Sequence, residues 1–225
     1  MKLRNIVYDI RERLKLNSDD IDITDEYLIH LINVKRVFFT KQRFSKFTRN
    51  VPEEVKQVIC IDLEPIETIV GQPCFGDILA STTAIPSTIE IGGRSSIIGV
   101  RFYDKLYPYL NIIPIERMPF VGYNRFLQKQ IYVALDADNK LYFASANPQH
   151  LNLKKIQVIG VFSDPEEAIN SSCTNNSDNS NCDILDKEYP VENYMIHDIV
   201  NSIVKELAPT LQIPNDKVNN ADESS

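Results

Sequence analysis

Apolar residues recur at helical spacing at the start of the chain. Leu3, Ile6, Val7, Ile10 and Leu14 lie three or four positions apart, so a helix would carry them on one face with the arginines off that face. We predict a first helix here. Residues 17–24 then supply turn chemistry before a second periodic segment.

A second helix is predicted to begin after Thr24. Thr24 is a suitable N-cap, and Asp25 and Glu26 fall in the first turn, where the helix dipole favours anions. The helix is expected to end near Phe44, and residues 1–50 therefore predict a helical hairpin. Its apolar stripe consists of Leu28, Leu31, Ile32 and Phe38 or Phe39.

Residues 51–163 have the pattern of a β-rich domain. Short runs rich in β-branched and aromatic residues, VICIDL, STIEI, IIGVRFY, QIYVALD, KLYFAS and IQVIGVF, are separated by Pro, Gly, Asn and Asp. Residues 136–139 are predicted to form the turn of one hairpin, and Gly92 with Gly93 the turn of a second.

The stretch SDPEEA marks a joint between strand and helix. Asp164 is a good N-cap, Pro165 suits the first helical position, and Glu167 can complete a capping box. A polar loop follows, and Pro209 is expected to end the terminal helix, leaving 209–225 as an extended arm. Helical spacing in this terminal helix runs through Val191, Met195, Ile196, Ile199, Ile203 and Leu207.

The order of these elements predicts an α+β fold. Two helices, then strands, then a helix, without βαβ alternation, favour a mostly antiparallel β domain in the middle of the chain. The hairpin and the C-terminal helix are expected to form one helical body. We assign 164–208 to the joint, the polar loop and a helix that packs on the hairpin.

Charge is distributed unevenly along the 225 residues, whose net charge is −7. Residues 1–50 carry 11 basic and 7 acidic groups, whereas residues 163–225 carry 3 basic and 13 acidic groups. Opposed ends can favour packing of one subunit on another, and an uneven solvated surface is the alternative. No signal-peptide core and no run of about 18 apolar residues occurs, so we expect a soluble protein without a membrane contact.

Residues with known chemistry show no motif. Cys60, Cys74, Cys173 and Cys182 form no CxxC pair, so reduced thiols are expected, with a Cys173–Cys182 disulfide as the lesser alternative. The acidic turn at 136–139 lacks the ligands of an EF-hand, and no triad, phosphate loop or zinc spacing is found. We predict no catalytic residues, no metal site and no cofactor.

A basic stretch interleaved with phenylalanines follows Glu26. No carboxylate occurs before Glu53, and such a pattern can bind phosphates and stacked bases. The aromatics are better explained as core or interface anchors of the second helix, and the acidic net charge disfavours a dedicated nucleic-acid binder. We expect its cations to face either DNA phosphates or an acidic neighbour. They are Lys35, Arg36, Lys41, Arg43, Lys46 and Arg49.

The carboxyl-terminal arm offers side-chain hydrogen bonds but little apolar area. Such a segment is expected to order on docking to another chain. The candidate contacts with another chain are Leu211, Ile213, Asn215, Asp216, Val218, Asn219 and Asn220.

Four segments together resemble a family of phage proteins. They are the hairpin VYDIRERLKLNSDDIDITDEYLIHLINVKRVFFTKQRF, the joint VIGVFSDPEEAI, the helix EYPVENYMIHDIVNSIVKEL and the tail IPNDKVNNADESS. The chain is similar to the head-to-tail connector proteins of tailed bacteriophages, the adaptor or ring proteins, and most closely to those of short-tailed crAss-like phages. The β segments add little to this resemblance.

The resemblance implies a non-enzymatic subunit of a ring, a dodecamer by family expectation, that bridges portal and tail. The implied partners are further copies of itself, the portal protein, other tail or ring proteins, and DNA that passes through the lumen without sequence-specific binding. The implied location is the virion, at the head–tail junction or in the tail, after assembly in the host cytoplasm. A small nucleic-acid-binding module or a motif-poor enzyme is the alternative.

Overall fold

The chain forms two compact units. A computed structural model describes residues 1–15, 23–44, 51–66, 78–103, 108–121, 130–147, 152–173 and 184–211. The helical unit comprises Met1–Thr40 and Cys182–Ser225, and the sheet unit comprises Lys41–Asn181. The four-part division expected from the sequence, with boundaries after 50, 163 and 208, stays a prediction.

Helices and strands occur in the order α-α, β, α. The helices are α1 (Leu3–Lys15), α2 (Asp25–Phe44), α3 (Pro165–Asn170) and α4 (Asn193–Leu211). The strands are β1 (Gln57–Ile66), β2 (Ile78–Ser81), β3 (Glu90–Ile91), β4 (Arg94–Ser95), β5 (Ile97–Phe102), β6 (Asn111–Ile112), β7 (Ile131–Leu135), β8 (Leu141–Ser145) and β9 (Lys155–Gly160). Short 3₁₀ helices lie at Glu53–Val55, Ile115–Phe120 and Ile184–Asp186.

In the helical unit, α1 packs against α4. The apolar face predicted for α1 is confirmed, since all five of its residues are buried. All six residues of the stripe predicted in and before α4 are buried as well. Helices with one apolar stripe are stable when that stripe is covered, so the two stripes stabilise each other.

Pro209 does not end α4, and that prediction is wrong. The helix continues to Leu211 with Pro209 inside it. Because the helix stops two residues later, the proline removes a backbone bond only in the last turn, and its fixed φ is compatible with helical geometry. The first residues of the predicted arm are therefore helical, and residues 212–225 lie outside the described part of the chain.

Helix α2 has the predicted bounds and cap. The Tyr27 N–H donates to Thr24 Oγ1 at 3.4 Å. Leu28, Leu31 and Ile32 are buried as predicted, and the same face continues through a buried Arg36 and Thr40.

The sheet unit contains a seven-stranded sheet in the order β5-β9-β1-β2-β8-β7-β6. Its ladders are antiparallel except for the short parallel pair β6–β7. A mixed α+β fold with a large, mostly antiparallel sheet is thus confirmed. The single helical body is matched only in part, because the last four residues of α2 are grouped with the sheet unit.

Both predicted hairpins are present. Asn139 takes a left-handed φ of 59° in the β7–β8 turn, where the Asp136 N–H donates to the Lys140 carbonyl at 3.0 Å. Gly92 and Gly93 have φ angles of 61° and 73° between β3 and β4. Positive φ at these positions is what tight hairpin turns demand, so local turn chemistry was sufficient to find them.

The joint at the end of β9 is confirmed. Asp164 caps α3 by accepting from the Glu166 N–H at 2.9 Å, and Pro165 is the first helical residue. The short helix then packs on β1 and contributes the buried Ala168 to the sheet core.

Two cysteines are joined, which corrects the expectation of four reduced thiols. Cys60 on β1 forms a disulfide with Cys173, which follows α3 and lies 113 positions away. The lesser alternative, pairing of Cys173 with Cys182, is therefore also wrong. The packing of α3 on β1 brings the two residues together, with the Cys60 N–H donating to the Ser171 carbonyl at 2.9 Å. The spacing of the cysteines along the sequence does not indicate this pairing, because the two residues are 113 positions apart.

Candidate assembly surface

Arg36 is buried inside the helical unit. Its side chain is 0% exposed, and Nη1 donates to the Pro190 carbonyl at 3.3 Å. The guanidinium carbon lies 5.8 Å from the centroid of the Tyr189 ring, within the range of a cation–π contact. Tyr189 in turn donates its hydroxyl to Asn33 at 2.6 Å. Arg36 therefore ties α2 to the segment before α4, and in this fold it is not part of an exposed basic surface.

Lys35 is also engaged within its own unit. Its ammonium group lies 2.5 Å from the Glu206 carboxylate on α4, and only 22% of the side chain is exposed. This ion pair crosses from α2 to α4. Of the six cations predicted to face a partner, two are thus used to hold helices together.

The remaining cations divide into two groups. Lys41 and Arg43 are exposed in the last turn of α2, where positive charge is favoured by the helix dipole. Lys46 and Arg49 lie outside the described residues. Of the predicted arm contacts, Leu211 is the last residue of α4, and the others, Ile213, Asn215, Asp216, Val218, Asn219 and Asn220, also lie outside that part.

Sequence reasoning missed a second stripe on α2. At 100° per residue, Tyr27, His30, Val34, Phe38 and Lys41 point away from the buried face, and all five are exposed. We call these five residues the outward face. Tyr27 is 48%, Val34 47% and Phe38 59% exposed. The spacing of seven and four between the three apolar residues was the available signal.

Phe38 is held by its neighbour. The rings of Phe38 and Phe39 meet edge to face, with centroids 5.4 Å apart and an interplanar angle of 78°. Phe39 is half-buried, so it can fix the orientation of the more exposed ring. The outward face therefore includes an exposed aromatic ring that packs edge to face on a half-buried neighbour.

A polar network links α1 and α4. Arg13 donates to Asp9 at 3.0 Å and to Asn201 at 2.8 Å, and Asn201 lies 2.8 Å from the His197 ring nitrogen. Near the amino terminus, Arg4 pairs with Asp186 at 3.2 Å. The one histidine in this network thus has a structural partner on its own helix.

Two groups in the sheet unit have shifted pKa values. Burial raises the pKa of the Tyr142 hydroxyl, and the Asp138 carboxylate raises it further. Burial also raises the pKa of Glu166, with a smaller effect of the Asp164 carboxylate. Tyr142 lies on β8 beside the turn that holds Asp138, and Glu166 lies in the first turn of α3. Among the described residues, no group of three or more His, Cys, Asp or Glu could hold a metal ion.

Helices in the described part of the chain fall short of what a bilayer crossing needs, in length or in apolar content. Exposed apolar residues concentrated on one helix face are typical of protein–protein contacts.

Comparison with known proteins gives two matches. A family model described as "Phage tail ring protein 2" matches residues 5–224. "Ring protein 2" of Bacteroides phage crAss001 is 35% identical over 222 residues, which cover 98% of this chain and 96% of that protein. Both matches include the helical unit, the sheet unit and almost all of the carboxyl-terminal residues.

Proposed function

The chain belongs to the phage tail ring protein 2 family, and from this premise we propose that its copies assemble into a closed ring that bridges portal and tail and surrounds the DNA channel. The nearly full-length match to a protein named as a ring protein carries this proposal. The chain is accordingly a structural tail ring component. The twelve-fold copy number, the portal contact and assembly in the host cytoplasm are proposed on the family resemblance.

The charge distribution supports a cyclic assembly. In a ring of identical subunits each chain offers two different surfaces, one to each neighbour. Net charge is +4 in residues 1–50 and −10 in residues 163–225. Ion pairs within the chain, such as Lys35–Glu206 and Arg4–Asp186, use part of this difference, and the remaining opposite charge is available to neighbouring subunits. A screened attraction of this kind guides association and orients the subunits.

Contact with DNA is proposed to be electrostatic and independent of base sequence. Arg43 is exposed at the end of α2, and no carboxylate occurs between Glu26 and Glu53. Cations spaced along a channel attract phosphates without reading bases. The overall charge of −7 fits a channel through which DNA slides better than a surface that holds it tightly.

The carboxyl-terminal segment after Leu211 is proposed as an arm that docks on a neighbouring subunit or on the portal. Its composition provides amide and carboxylate groups from Asn215, Asp216, Asn219 and Asn220 with few apolar anchors. Segments of this composition order on binding and wrap a partner's surface. The match of the family model as far as residue 224 supports a role for the arm in the family.

Cryo-electron microscopy of intact particles tests the proposal. We expect a ring of this chain between portal and tail, with DNA on its axis. Native mass spectrometry of the purified chain measures the copy number independently. A particle in which the chain forms no ring, or a ring from which DNA is absent on the axis, would overturn it.

A further inference from the structure

We propose that the outward face of α2 is the surface through which one subunit packs on the acidic carboxyl-terminal region of a second copy of this chain. This inference rests on the proposed ring. It goes further by naming the surface, its occupant and the chemistry of their contact.

The two faces of α2 carry the first argument. Leu28, Ile32, Arg36 and Thr40 repeat every four residues and are buried in the chain's own fold. The opposite face of a helix that packs on one side is normally polar. Here it carries Tyr27, Val34 and Phe38, each about half exposed. A helix with two apolar faces is typical of an element that packs on both sides.

The apolar area carries the second argument. An aromatic side chain covers about 150–250 Å², so the exposed fractions of Tyr27, Val34 and Phe38 leave roughly 250–300 Å² of surface on one face. A stable interface buries about 800 Å² on each partner. The stripe would therefore supply about a third of such an interface, and exposed aromatic residues are the kind on which binding energy is usually concentrated.

Charge identifies the occupant. Lys41 lies on the outward face, and residues 27–52 contain no carboxylate. Within residues 184–211, the exposed carboxylates of Glu188 and Asp198 offer negative charge to such a face, whereas Asp186 and Glu206 are already paired with Arg4 and Lys35. A basic and apolar face thus matches an acidic region that every neighbouring copy also presents. DNA is a poorer match, because the apolar side chain of Val34, at the centre of the face, makes no favourable contact with a phosphate.

The first experiment is site-specific photo-crosslinking. A benzophenone amino acid replaces Val34 in the full chain, and rings are assembled from equal amounts of ¹⁴N- and ¹⁵N-labelled subunits. Mixed-isotope cross-links show contact between different copies. We expect such cross-links from position 34 to peptides within 184–211. The same probe at Tyr8, a 65% exposed residue of α1, is the matched control and should give few of them. Cross-links from position 34 to DNA, to another tail protein or only within one copy would overturn the inference.

The second experiment uses substitutions on the same face. Val34→Asp and Phe38→Ser are each expected to raise the subunit concentration for half-maximal ring formation by about tenfold or more, as loss of a central contact does. Tyr8→Ser removes an aromatic residue of α1 that is 65% exposed, against 59% for Phe38, and it should change this concentration less than about twofold. Circular dichroism verifies that each variant is folded.

The outcomes separate this inference from the proposed function. If the wild-type chain forms no ring in solution or in particles, the proposed function fails. If wild-type rings form, and both outward-face variants form them at the wild-type concentration, the ring stands and the assignment of this surface is wrong.

Discussion

Replacing Arg36 by alanine is expected to destabilise the helical unit by about 3–5 kcal/mol, at the upper end of the range for single substitutions in a protein interior. The structure supplies three contributions. The hydrogen bond from a charged donor to the Pro190 carbonyl is worth about 1.5–3 kcal/mol, and the contact with the Tyr189 ring about 0.5–2 kcal/mol. Burial of the aliphatic stem adds about 0.8 kcal/mol per methylene. These contributions overlap, and removal of a buried charge offsets part of them.

Two further variants separate packing from charge. Arg36→Met keeps most of the buried volume and is expected to recover a large part of the loss, as apolar replacements of buried charges often do. Lys41→Ala removes an exposed cation of the same helix, so it should change stability by less than about 0.5 kcal/mol. Of the three variants, Lys41→Ala is therefore expected to be the most stable, Arg36→Met intermediate and Arg36→Ala the least stable.

Hydrogen exchange measured by mass spectrometry is the appropriate assay, because it resolves the helical unit from the sheet unit. Amides in α2 and α4 should lose protection in Arg36→Ala, whereas amides in β1 and β9 should not. The structural role assigned to Arg36 is wrong if the α2 amides of Arg36→Ala are as well protected from exchange as those of Lys41→Ala while DNA passage or assembly changes. Arg36 would then be a contact with a partner.

Three further changes have defined outcomes. Cys60→Ser should lower the melting temperature measured without reductant, because a disulfide that closes a loop of about 100 residues stabilises by about 4–5 kcal/mol. With reductant, the wild type and the variant should melt at the same temperature. Four free thiols in the oxidised wild type would contradict this prediction. Reversal of Lys41 and Arg43 to Glu should weaken assembly or DNA passage in a salt-dependent way, and unchanged assembly and infectivity would contradict it. Deleting residues 212–225 should leave the monomer's melting temperature nearly unchanged while impairing incorporation into particles; a truncated chain that unfolds, or that incorporates normally, would refute the arm.

The sequence pattern was sufficient to predict the elements that are stabilised by interactions between residues close in the chain. The three- and four-residue spacing of the first and last helices, the cap at Asp164 and the turn glycines were all sufficient, because each depends on neighbours within a few residues. Strand β2 was missed, since four residues, ILAS, show no alternation that marks a half-buried strand. The function class came from the family resemblance, because the residues themselves contain no catalytic or ligand-binding motif.

Tertiary packing decided which face each side chain serves. In the sequence Arg36 is one of six cations among phenylalanines, and only the placement of Tyr189 and Pro190 beside α2 shows that it is buried. The same holds for the Cys60–Cys173 bond and for the exposed stripe of Tyr27, Val34 and Phe38. Helical periodicity indicated that α2 carries apolar residues on more than one side. It could not show which side is buried, because burial depends on contacts between residues distant in the chain. In a helix with apolar residues on two sides, local interactions allow either side to pack on the core, and the rest of the fold selects one.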